Sequence, residues 1–208
     1  MVITYLGHEF FRVQFGDTVL AFNPISKESK LKTSRFGADI VLVSANTPDT
    51  NGIDQISFGE REAFIIEGPG EYEVGGIFIK GFLSAGTLSD GVKNTIYTVS
   101  LEGMNICFLG SLPSNDIGSE TKSALGDVDI LFTPIGGGEV LSAPEAYKLA
   151  VSLGARLVIP MNYDAKALDA FLKEGGVNKV EPVDKLTLKK KDLDGKEGDI
   201  MVISPSNA

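Results

Sequence analysis

The stretch ADIVLVSANTPDTNG, residues 38–52, decides how the rest of the chain is read. Its first half is a short apolar run led in by Ala38-Asp39, the signature of a strand buried on both faces. Its second half, residues 44–52, consists almost wholly of turn formers, so it is a loop at that strand's C-terminal end. The same grammar returns at Val128-Asp129, where residues 130–133 are again apolar but for Thr133 and a Pro-Ile-Gly-Gly-Gly loop follows. Upstream of each run lies a hairpin. Residues 10–15 and 18–22 flank Gly16-Asp17, and residues 95–101 and 105–109 flank Glu102-Gly103. The hairpins are offset by 86 residues (103 − 17) and the apolar strands by 90 (129 − 39). A nearly constant offset with two copies indicates two similar halves packed face to face rather than a solenoid.

Further strands are expected at residues 3–6, 63–67, 72–74, 77–82, 157–159, 180–182, 185–188 and 200–203. Helices are expected at 143–153, with Ser142 as N-cap, Pro144 in the first turn and Gly154 closing, and at 165–174. The segment between residues 109 and 128 reads only as polar. No linker or low-complexity stretch divides the 208 residues, so one domain over 1–208 is expected, with two sheets inside and helices outside.

Composition narrows the function. Hydrophobic residues make up 43% of the chain, enough for a sizeable core. A net charge of -9 disfavours phosphate backbones and anionic lipid, so neither nucleic acid nor membrane is an expected partner. No apolar run reaches the ~20 residues needed to span a bilayer. The N-terminus has no signal-like pattern, and a cytoplasmic location is the simple expectation. The single Cys107 excludes an internal disulfide, and the single His8 cannot by itself form a metal cluster.

Several ordered motifs carry a family likeness. Tyr5-Leu6-Gly7-His8, Asn23-Pro24, the 38–43 strand, the run from Gly68 to Ile77 (GPGEYEVGGI), Asn94-Thr95-Ile96-Tyr97, Val128-Asp129-Ile130-Leu131 and Ile159-Pro160-Met161 resemble bacterial metal-dependent hydrolases of the metallo-β-lactamase fold. The likeness is to the branch of L-ascorbate-6-phosphate lactonase-like proteins, and it covers residues 2–163 well. It implies an α/β, four-layer αββα sandwich.

The resemblance also implies a zinc site, and the residues depart from it. The family's His-x-His-x-Asp-His loop falls on residues 45–50, where Ala45, Thr47 and Thr50 stand in place of the imidazoles and only Asp49 survives. The later His falls on Phe108, the bridging aspartate on Ser111, the last His on Asn162, and the aspartate of the early Asp-Pro pair on Asn23. Zinc is held mainly by His, Cys and carboxylates, so no zinc or other cofactor is expected. Without a metal nothing lowers the pKa of a water for attack. The expectation is therefore a pseudoenzyme, a non-catalytic binding or scaffold module whose vestigial cleft contains His8 and these eight positions. Its partner would be a small molecule, another protein or a second copy, with the region 71–77 as a candidate surface. The alternative is a divergent hydrolase of lactones, esters or phosphoesters using Ser44, Ser111 or Asp49. A hard cation on Asp49, Asn46 and Asn162 would want more carboxylates.

Other candidates have plainer readings. His8 reads as a strand-end residue with a structural hydrogen bond, and Cys107 as a buried thiol. Asp49 is either a relic of the site or an Asx-type turn after Pro48. The glycines 136–138 read as a tight connection, Glu71 and Glu73 as edge-protecting charges, and Lys189–Lys191 as a solvated turn.

Overall fold

A computed structural model describes residues 1–56 and 62–206. Among the described residues thirteen strands and three α-helices follow one another: β1 (Val2–Tyr5), β2 (Phe11–Phe15), β3 (Thr18–Phe22), β4 (Ile40–Leu42), β5 (Phe64–Ile66), β6 (Gly70–Val74), β7 (Ile77–Leu83), β8 (Thr95–Leu101), β9 (Met104–Phe108), α1 (Ser119–Leu125), β10 (Ile130–Pro134), α2 (Ala143–Ser152), β11 (Leu157–Met161), α3 (Ala165–Glu174), β12 (Leu186–Thr187) and β13 (Asp199–Ile200). They form two sheets, ordered β12-β1-β2-β3-β4-β5 and β13-β11-β10-β9-β8-β7-β6.

The two apolar runs are buried on both faces, as their composition requires. In β4, Ile40 and Leu42 face the space between the sheets, while Val41 packs outward. In β10, Ile130 and Phe132 face inward and Leu131 outward. Residues alternate faces along a strand, so a run with no polar member must be covered twice. The inner layer is rich in rings. Phe22, Phe108 and Phe132 lie within 5.0–6.1 Å of one another between centroids, and Phe11 meets Phe132 edge-on at 4.6 Å.

The halves repeat in hydrogen bonding as well as in sequence. β2 and β3 are antiparallel and β3 and β4 parallel; β8 and β9 are antiparallel and β9 and β10 parallel. The two outer layers differ. All three α-helices cover the outer face of the second sheet through Leu125, Ala146, Leu149 and Phe171. The outer face of the first sheet is covered, among the described residues, by the loop carrying Ile25 and Phe36 and by a short 3-10 turn at Ile53–Gln55.

Three local expectations are corrected. The polar segment after β9 contains α1, whose only buried residue is Leu125, so it has no apolar stripe to read. Residues 180–182 form no strand; pairing there is a single bridge from Val183 to Ile203. The final strand is shorter than expected, ending at Ile200. α2 and α3 stand as read. Glu145 accepts from Ser142 N and Oγ at 2.9 and 2.5 Å, and Asp164 caps α3 by accepting from Ala167 N at 2.8 Å.

Candidate functional site

One end of the sandwich collects the loops that follow the strands. His8 and Glu9 lie between β1 and β2, Asn23 directly after β3, residues 45–50 after β4, Ser111 after β9, Gly137 and Glu139 after β10, and Asn162 after β11. A cleft of about 370 Å³ opens there, lined by His8, Thr47, Asp49, Ser111, Glu139 and Asn162 with Leu88, Val140 and Gly137. Five of the nine sequence-selected positions thus share its wall.

The chemical centre is a residue that sequence reasoning passed over. Glu9 is fully buried. Its Oε2 accepts from Asn23 Nδ2 and from Ser111 Oγ, each at 2.8 Å. Its Oε1 accepts from Asn162 Nδ2 at 2.8 Å. A carboxylate withdrawn from water is costly unless hydrogen-bonded, and donors aimed at a charge are the stronger kind. Asn23 is locked in this orientation because its Oδ1 already accepts from Ser44 N at 2.7 Å, which leaves Nδ2 facing Glu9 and Ser44 Oγ.

The 45–50 loop closes on itself. Thr50 Oγ1 donates to Ala45 O at 2.5 Å, and Thr47 and Thr50 hydroxyls are 2.9 Å apart. A hydroxyl has one proton; with that of Thr50 committed to Ala45, Thr47 is the donor between them. Asp49 accepts from Ser29 Oγ, a partner from the preceding loop rather than from its own turn.

Backbone strain concentrates at the same place. His8, Asn23 and Asn162 have φ of 53°, 43° and 51°, the left-handed region that non-glycine residues seldom occupy. His8, which lines the cleft, is held through its carbonyl oxygen, which accepts from Tyr5 Oη and from Asn162 N, both at 2.7 Å. Burial raises the Tyr5 phenol above its ordinary pKa, with Tyr163 and Glu9 adding to that shift and the backbone bond from Asn162 opposing it. Gly110 stands at φ 60°, and a Cβ there would meet Ser44 Oγ at 2.3 Å, so no side chain fits where the two halves meet.

The remaining positions separate into those behind the cleft and those away from it. Asn23, Ala45 and Thr50 are buried behind its wall. Phe108 is corrected: it is fully buried between Phe22 and Phe132 in the core between the sheets and does not line the cleft. Gly137 and Gly138 have φ of 74° and 71°, as a tight connection requires. Glu71 and Glu73 are exposed on edge strand β6, with Glu71 paired to Lys80 at 2.9 Å. Lys189–Lys191 are exposed, and burial pushes the Cys107 thiol up to about 12.

The donor set does not suit a zinc ion. Among the described residues no group of three or more His, Cys, Asp or Glu side chains converges as a metal site. Behind the cleft wall, Asn23, Ser111 and Asn162 turn amide and hydroxyl hydrogens to Glu9, where a cation would require lone pairs.

Comparison with known proteins agrees with this architecture. A family model described as a beta-lactamase superfamily domain matches residues 2–162. A UPF0173 metal-dependent hydrolase of Thermococcus kodakarensis is 25% identical over 189 residues, 78% of this chain and 84% of that protein. The crystal structure of a candidate Zn-dependent hydrolase of the metallo-beta-lactamase superfamily from Thermotoga maritima superposes with a TM-score of 0.79 at 28% identity, covering 97% of both chains. A metallo hydrolase from Ignicoccus hospitalis shares the fold alone, with a TM-score of 0.67 at 14% identity over 99% of this chain and 96% of that one.

Proposed function

The chain belongs to the beta-lactamase superfamily, and on that premise we propose that it is a non-catalytic member, a binding or scaffold module built on a hydrolase framework. One observation carries the reading. Asn23, Ser111 and Asn162, three positions where the family resemblance calls for metal ligands, all turn their donors toward a buried carboxylate, Glu9. A carboxylate already accepting from two amides and a hydroxyl, with no imidazole in that network, does not assemble the ligand set that holds a water-activating metal. The cleft beside it is the surface offered to a small molecule or a protein partner.

A second reading keeps hydrolysis. It is favoured by the persistence of a cleft holding His8, Asp49 and Ser111 together, and by relatives described as metal-dependent hydrolases. Ser111 as nucleophile would need a base at its hydroxyl, and that proton is directed to Glu9, which is itself tied to two amides.

Purified protein incubated with zinc and then desalted separates the two. We expect substoichiometric metal by elemental analysis and no turnover of lactone, ester or phosphodiester substrates with or without added divalent ions. About one zinc per chain together with chelator-sensitive turnover would overturn the proposal.

A further inference from the structure

We infer that Glu9 is the positioning residue of the cleft, a buried anion that fastens the loop ends of both sheets together behind its wall. The inference rests on the non-catalytic reading and adds to it what organises the site.

The connectivity makes the case. Glu9 belongs to the first sheet, between β1 and β2, and so does Asn23, at the end of β3. Ser111 and Asn162 follow β9 and β11 of the second sheet. The bonds from Ser111 and Asn162 therefore cross between the sheets, while that from Asn23 stays within the first. Asn23 and Asn162 also carry positive φ, so their backbones depend on surroundings that define the conformation for them. Two further bonds close the circle: Asn162 N donates to His8 O at 2.7 Å, and Ser44 N donates to Asn23 Oδ1 at 2.7 Å. Every loop end of this network is held, directly or through one neighbour, by the same carboxylate. His8, Ser111 and Asn162 line the cleft, so its shape follows from the Glu9 bonds.

The test uses the full-length protein and the side-chain amide resonances of Asn23 and Asn162. In Glu9→Gln the shape is kept, but the charge is lost and an NH2 donor is placed among donors. Solvent exchange of both Asn side-chain amides should then accelerate by about tenfold or more, the factor equivalent to losing a charged hydrogen bond. Unchanged protection at both amides would overturn the inference. Stability supplies an independent readout. If Ser111 acts through Glu9, the cost of Ser111→Ala largely disappears in the Glu9→Gln background, whereas simple addition of the two costs refutes the inference. Should Glu9→Gln not fold, Glu9→Asp keeps the charge with a shorter reach. It should loosen at least one of the two amides, and full protection of both would again be refutation. Metal content and turnover decide the non-catalytic reading; amide protection and coupling decide the role of Glu9.

Discussion

Asp39 and Asp129 perform the same task in the two halves of the molecule. Asp39 Oδ2 accepts from the backbone N of Val19 at 2.8 Å, and Asp129 Oδ2 accepts from the backbone N of Asn105 at 2.8 Å. The return bonds match as well, from Asp39 N to Val19 O at 2.8 Å and from Asp129 N to Asn105 O at 2.9 Å. Each aspartate stands at the start of the doubly buried strand and ties it to the hairpin strand beside it. Asp39→Ala and Asp129→Ala should each lower stability by about 1–3 kcal/mol, as expected for removing a charged acceptor from a partly buried N–H. Urea unfolding measures this; a loss within error for either would break the equivalence.

Phe108 stands where the family resemblance calls for an imidazole, yet its ring completes the aromatic layer with Phe22 at 5.0 Å and Phe132 at 6.0 Å. Phe108→His removes apolar volume and buries a polar ring, so it should cost roughly 2–4 kcal/mol. It should bring no zinc. Thermal unfolding with and without zinc tests both points, and a metal-dependent rise in Tm would contradict the second.

Cys107 is fully buried, and its thiol is pushed up to about 12 by desolvation. The folded state holds the neutral form, while the unfolded chain ionises near the ordinary thiol value of about 8.5. This contribution is fully present below the unfolded pKa and is lost as pH rises from there through the folded value. Tyr5 and Tyr97, both raised mainly by burial, act in the same direction at higher pH. Native protein at pH 8 should resist a thiol reagent that labels it once unfolded. Rapid labelling of the native state would show the site to be open.

The carboxyl of Glu145 is held below its ordinary value by the hydroxyl and backbone N–H of Ser142. Here the sign reverses. The contribution is present above the unfolded glutamate pKa of about 4.3 and disappears as pH falls through the lower folded value. Ser142→Ala should cost about 1 kcal/mol and loosen the first turn of α2, measured as faster amide exchange in that turn alone. Equal exchange in variant and parent would show that the cap contributes nothing.

The sequence carried the framework because its signals are local. An apolar run of four residues, a hairpin turn and a capping serine each act on neighbours within a few positions, and the strand, the turn and α2 formed where those signals lay. The weaker signals failed for the same reason. α1 has one buried residue and shows no periodicity, and residues 180–182 (Val-Glu-Pro) carry a charge and a proline and form no strand.

The departures from a zinc site could be seen in the sequence alone, since replacing imidazole with amide, hydroxyl or phenyl is a matter of residue identity. What the loop ends gather around could not. Glu9 reads locally as a charge beside two phenylalanines, and its partners lie 14, 102 and 153 residues away. The position of Phe108 was undecidable for a related reason: a strand-end residue turns to the cleft or to the core according to the rings packed against it. Residue identity determined which imidazoles these loop ends lack. Only the meeting of distant loop ends decided that a buried carboxylate would stand at its centre, because an unpaired charge survives burial only where folding brings donors to it.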